Sequence, residues 1–192
     1  VYDKAREMLD CQIEEGVYVT DPEENYYLYE LTMEGRSQTG IVACCSIDDY
    51  VNGVVKKHEN TREDKELDRI RHVDICDANT GPIFLCYREK NEIADIISKW
   101  QRENSPIYDF IQGGVSQTVW VINDATVCDS LTKAFAPVEA FYIADGHHRC
   151  ASAVNVAKMR REHSFDYTGK EEFNYFLSVL FPAGELEIMD YN

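Results

Sequence analysis

A chain of 192 residues, 44% of them hydrophobic, can bury a substantial core, which excludes extensive disorder. Its formal charge of −16, from 35 acidic and 19 basic residues, repels a phosphate backbone and argues against nucleic acid as a partner. No apolar run reaches the roughly 20 residues that a membrane helix needs, and no signal peptide opens the chain, so no membrane partner is expected.

The chain starts at Val1 and stops just after a strand-like run, Leu186–Met189, so we expect one α+β domain over 1–192, excised from a longer protein. Seven cysteines (Cys11, Cys44, Cys45, Cys76, Cys86, Cys128 and Cys150) contain no Cys-x-x-Cys pair. Neither a zinc site nor a disulfide framework is signalled, and most of the cysteines are expected to be buried free thiols of a reduced cytoplasm. Cys150 follows Arg149 at a helix start and reads either as an activated thiol or, better, as a packed one.

Ala5, Met8, Leu9 and Ile13 recur at helical spacing and predict an amphipathic helix over Tyr2–Glu15, closed by Gly16. Val17–Val19 reads as a short strand. Tyr26–Met33 and Gln38–Ser46 read as a hairpin joined by Glu34-Gly35-Arg36. Tyr26, Tyr27 and Tyr29 could stack on a base, but paired strands use tyrosine routinely in cross-strand packing. Ser46 should cap a helical turn, and a polar helix is expected over Arg62–Cys76 with Leu67, Ile70 and Val73 as its seam.

Asn79, Thr80 and Gly81 are either ligand contacts or a turn before the buried strand Ile83–Tyr87. A helix over Glu92–Arg102 turns Ile93, Ile96, Ile97 and Trp100 inward. Ile107–Gln112 and Gln117–Ile122 flank Gly113-Gly114 as a second hairpin. Asn123–Thr126 caps a helix reaching Phe135, and a last strand is expected over Phe173–Phe181. Helices mixed with antiparallel hairpins give an α+β fold with a mixed, partly antiparallel sheet.

The chemistry concentrates where the hydrophobic strand Phe141–Ala144 meets Asp145-Gly146-His147-His148-Arg149 and a following helix, whose composition is clearest over Ala151–Arg161. The unpaired N–H groups of a first helical turn point at a bound oxyanion, and the helix dipole favours its charge. Gly146 allows close backbone approach or positive φ, and Arg149 offers a planar fork suited to phosphate. Side chains of adjacent helical residues point about 100° apart, so His147 and His148 cannot both enter the core. Asp145 has the opposite sign and should bind a metal or take a proton. A second polar stretch, His58-Glu59-Asn60-Thr61, precedes the Arg62 helix. Thr61 could cap that helix, and both Thr61 and His58 could contact the phosphate. His58 and Glu59 would supply an acid–base pair and a metal carboxylate if the fold carries them to the Asp145–Arg149 turn.

Tyr142-Ile143-Ala144-Asp145-Gly146-His147-His148-Arg149 resembles the signature of the domain-of-unknown-function family numbered one thousand and fifteen. Tyr29-Glu30, Gly40, His58-Glu59-Asn60-Thr61, Gly81-Pro82-Ile83-Phe84 and Asp190-Tyr191-Asn192 fit it in order and spacing. More remotely, the signature is similar to the ParB/sulfiredoxin-like superfamily, whose core here would be the strand–turn–helix at 138–161. That resemblance implies that Gly146, His147, His148 and Arg149 hold nucleotide phosphates. It also implies that Asp145 holds Mg²⁺ or activates an acceptor, with His148 beside it as a catalytic candidate. Free-serine kinases of the superfamily use an upstream glutamate as general base, and Glu59 is the candidate. The sulfiredoxin cysteine has no counterpart, since position 147 is histidine.

The expectation is therefore a phosphotransferase, dependent on Mg²⁺ and on ATP or ADP, that acts on a small hydroxyl-bearing metabolite. The alternative is a nucleotide-binding regulatory module without turnover. A ParB-like nuclease or DNA-binding protein ranks third because of the charge.

Overall fold

The computed structural model describes residues 1–59 and 62–188, the side chain of Glu63 excepted. Its strands are β1 (Tyr26–Met33), β2 (Arg36–Ser46), β3 (Val55–Lys56), β4 (Ile83–Tyr87), β5 (Tyr108–Gln112), β6 (Val115–Ile122), β7 (Phe141–Asp145) and β8 (Tyr175–Pro182). They form one sheet of order β3-β7-β4-β8-β2-β1-β6-β5. The described helices are α1 (Tyr2–Glu14), α2 (Ile47–Val51), α3 (Glu63–Cys76), α4 (Asn91–Glu103), α5 (Ala125–Phe135) and α6 (His147–His163). The fold is α+β, with a mixed, partly antiparallel open sheet and six flanking helices among the described residues.

By its internal contacts the chain groups into two units. The first comprises Val1–Pro22, Cys44–Ile83 and Asp145–Leu177; the second comprises Glu23–Ala43, Phe84–Ala144 and Ser178–Asn192.

In the second unit the hairpins follow their turn chemistry. Glu34 and Gly35 both take positive φ (52° and 79°), as do Gly113 and Gly114 (61° and 82°), the pattern of tight turns that match strand twist. The first turn sets Leu28 opposite Ile41 on β2, and β6 sets Trp120 opposite Leu28, so three buried side chains share one row. Gly40 is required by close approach: a Cβ there would lie 2.7 Å from Val179 Cγ1 and 2.9 Å from the Phe181 ring. Asp124 Oδ1 accepts from the backbone N–H groups of Thr126 and Val127 and so caps α5. Tyr87, Phe135 and Phe141 cluster edge to face. Ile93 and Ile97 of α4 are buried as expected, and Trp100 Nε1 donates to the Val121 carbonyl.

In the first unit α6 is the central helix. Cys150, Ala151, Ser152, Ala153, Val154, Val156 and Ala157 are all buried, and the small ones let α3 pack closely against it. Ser46 caps α2 through Asp48 N–H, as predicted. Arg161 joins the far end of α6 to α2 and to the 3₁₀ turn Glu172–Asn174, donating to both Asp48 oxygens and to Asn174 Oδ1.

Several expectations are corrected. Val17–Val19 is not a strand: the N–H groups of Val17 and Tyr18 return to the Gln12 carbonyl, and all three side chains are exposed. The α1 seam is not covered either, since Met8 and Ile13 are about half exposed and no residue of α1 is buried. Leu67 on α3 also faces solvent. The described part of the closing run, Leu186–Ile188, is not a strand. Helix α6, by contrast, begins at His147, so His147, His148 and Arg149 are its first residues as expected.

Candidate anion-binding site

Strand β7 ends at Asp145 and the chain turns at Gly146, whose φ of 97° belongs to the left-handed region. The turn also excludes a side chain on spatial grounds, because a Cβ at Gly146 would sit 3.0 Å from Arg149 Nε and Nη2. No side chain caps α6. The first intrahelical bond runs from Cys150 N–H to the Gly146 carbonyl, so the N–H groups of the preceding turn point outward.

Those N–H groups open onto a recess of about 120 Å³ lined by Glu59, Arg69, Asp145, Gly146, His147, His148 and Arg149, all within the first unit. The two polar stretches therefore meet. The His58 ring stands edge to face on the His147 ring, with centroids 4.4 Å apart, and Glu59 Oε2 lies 3.7 Å from His147 Nδ1. His148 Nε2 accepts from the Arg62 backbone N–H at 3.2 Å, tying the start of α3 to the start of α6. Thr61 lies outside the described residues, and the N-cap residue of α3 is Arg62.

The two adjacent imidazoles differ as expected: His147 is 6% exposed, whereas His148 is half-buried. Burial, and then the neighbouring His58, hold the His147 pKa below its ordinary value, against the opposing pull of Glu59 and Asp145. The ring is thus neutral at pH near 7. Its Nε2 is buried and has no hydrogen-bond partner among the described residues; the same holds for Nε of Arg149. Arg149 Nη2 donates to Asp145 Oδ2 at 2.7 Å, so the aspartate expected to serve a metal is already engaged by the guanidinium.

Arg69 was not singled out by the sequence. Nothing local separates it from Arg62 or Arg71; only the packing of α3 on α6 brings it to the recess. Gly81 lies alongside, since a Cβ there would be 3.9 Å from Arg149 Cδ, whereas Asn79 and Thr80 are exposed. Cys150 is fully buried and its pKa is pushed up to about 12 by burial, which makes it a packed thiol. Tyr29 and Tyr26 commit their hydroxyls to Gln117 and Thr132, which favours the packing role over base stacking.

Glu59 and Asp145 are the carboxylates available to a cation. Among the described residues no three His, Cys, Asp or Glu side chains gather as a metal-binding set. Two carboxylates on one recess suit Mg²⁺ that arrives with phosphate oxygens, because that ion is commonly held by one or two carboxylates plus substrate phosphates.

Fold and recess together define an α+β protein with a donor-rich recess at a helix N-terminus. A family described as "Protein of unknown function (DUF1015)" matches residues 1–192, and the chain belongs to it. No curated protein and no solved structure matches the chain. No helix among the described residues is long and apolar enough to cross a membrane.

Proposed function

We propose that this protein is a Mg²⁺- and nucleotide-dependent phosphotransferase acting on a small hydroxyl-bearing metabolite, like the free-serine kinases its Asp145–Arg149 turn resembles. The observation that carries the reading is the pair of buried nitrogens, His147 Nε2 and Arg149 Nε, that have no partner among the described residues, beside the N–H groups that open α6. A buried polar group left unsatisfied costs about 1–3 kcal/mol, and an oxyanion seated in the recess offsets that cost. Arg69 and Arg149 offset the two carboxylates of the recess, Glu59 and Asp145, and the helix dipole adds local positive potential, while the rest of the negative charge is distant and screened.

Gly146, His147, His148, Arg149 and Arg69 hold the phosphates of ATP or ADP in this reading. Glu59, exposed and on the same recess, takes the proton of the acceptor hydroxyl. Asp145 and Glu59 would hold Mg²⁺, which neutralises charge on the phosphate oxygens when bound. The Asp145 side of the Asp145–Arg149 pair is exposed, so an incoming phosphate competes with that carboxylate for the guanidinium. Positioning and electrostatics supply most of phosphoryl-transfer catalysis, so few side chains suffice. The seven cysteines, with no Cys-x-x-Cys pair, support a reduced cytoplasmic setting.

One observation favours a nucleotide-binding regulatory module instead: Asp145 is engaged by Arg149, an arrangement suited to sensing an anion without turnover. The deciding experiment incubates the protein with ATP or ADP, Mg²⁺ and a pool of hydroxyl metabolites, followed by mass spectrometry. A phosphorylated product is expected, falling by about 10²-fold or more in Glu59→Gln while nucleotide binding persists. Nucleotide binding with no product in the wild type would establish the regulatory module.

A further inference from the structure

One turn along α6 from the recess, a second and larger opening has no role in the reading above. It is a cleft of about 290 Å³ whose floor includes Ala153 and Val156 of α6 and Val73 of α3, with Phe173 and Asn79 on its walls. Its volume lies at the small end of the range of small-molecule sites. Ala153 and Val156 are 6% and 3% exposed, so the floor is apolar and smooth.

Helical geometry makes the cleft a continuation of the recess. Arg149, Ala153, Val156 and Arg160 follow one another at spacings of four, three and four residues, which places them on a single stripe of α6. The cleft therefore begins about 6 Å beyond Arg149 and ends about 16 Å beyond it, at 1.5 Å per residue. The segment that borders it runs the same way: Gly81 lies against Arg149, and Asn79 and Asp77 line the cleft near Arg160.

The charges give the stripe a direction. The Arg149 end has an open helix N-terminus and unpartnered donors, so it accepts anions. At the other end Arg160 is neutralised by Asp74 and Asp77, and Glu172 adds a further carboxylate. Phosphate is repelled there, whereas hydroxyl groups are good partners for carboxylates. A ligand lying along the stripe must be anionic at one end, flat and apolar in the middle, and hydroxylated or amide-bearing along its edge. Phe173 offers a ring face, and the amide of Asn79 can pair with a heteroaromatic edge.

We infer that this cleft is the nucleoside subsite of the phosphate recess, with base and ribose seated over Ala153 and Val156. The inference rests on the recess being a phosphate site and adds the part of the ligand that confers affinity beyond its phosphates.

Calorimetric titration with Mg²⁺ present, comparing tripolyphosphate with ATP, CTP, GTP and UTP, tests it. At least one nucleotide should bind about tenfold more tightly than tripolyphosphate. Ala153→Leu fills the cleft and should bring that nucleotide down to the tripolyphosphate value, leaving tripolyphosphate itself unchanged. Phe173→Ala and the exposed Asn79→Ala guard against misfolding of the first variant, and each should weaken the nucleotide by about threefold or more at constant tripolyphosphate affinity. Equal affinity for tripolyphosphate and every nucleotide, or equal losses for both probes in the variants, overturns the nucleoside subsite while leaving the phosphate recess standing. Failure of tripolyphosphate and all nucleotides to bind overturns the recess itself, and the subsite with it.

Discussion

His147 and Gly146 carry the consequences that can be checked one residue at a time. The ordinary histidine pKa is 6.5 and the folded value is lower, so the unfolded chain takes up this proton first as pH falls. The stability contributed by the neutral ring is complete above 6.5 and is lost as pH falls through that value towards the folded one. A bound dianion acts in the opposite direction, because it favours the imidazolium. Sulfate, whose charge stays constant over this range, should therefore bind roughly three- to tenfold more tightly at about pH 6 than at about pH 8. His147→Gln should remove most of that dependence, even though His58 and His148 remain beside the recess. Gly146→Ala forces a side chain into left-handed backbone against the Arg149 guanidinium. A loss of about 1–2 kcal/mol in denaturant unfolding is expected, together with weaker sulfate binding. The residue types at this turn were legible in the sequence because strand, glycine and helix start are local features. The burial of His147 and the arrival of Arg69 were not, since both depend on how α3 lies on α6.

Elements are held by a few contacts whose removal should be visible in stability. Asn174 is 2% exposed, and its Oδ1 accepts from Arg161 Nε at 2.6 Å. Arg161→Ala should cost about 1–3 kcal/mol, because that oxygen is left buried without its donor. Arg161→Lys should recover only part, since one ammonium cannot serve Asn174 and both oxygens of Asp48. On β2, Gly40→Ala should cost about 1–3 kcal/mol by overpacking against Val179 and Phe181, read from chemical denaturation. Hairpins and capped helices were legible at this scale: Glu34-Gly35, Gly113-Gly114, Ser46 and Asp124 all act where their local chemistry puts them. The misreadings share one cause. Met8, Ile13, Val17 and Leu67 obey the apolar periodicity, yet periodicity reports only that a face is apolar, not that another element covers it.

For the molecule as a whole, the charge of −16 sets the field that any partner approaches through. Duplex DNA should not be retained at physiological salt, by filter binding or gel shift. Retention that falls steeply as salt rises would bring back the nucleic-acid reading. The sequence by itself determined the class of fold, the main hairpins and helices, and the strand–glycine–helix turn at Asp145–Arg149, because alternation, turn residues and helix-start chemistry act over a few neighbouring residues. Only the tertiary structure decided that His58 and Glu59 reach that turn from nearly ninety residues away, that Arg69 joins them, and that a stripe of α6 opens into a cleft. Those facts follow from side-chain volumes at the α3–α6 contact, where small buried residues allow close approach, and no local pattern encodes which distant helix will take it up.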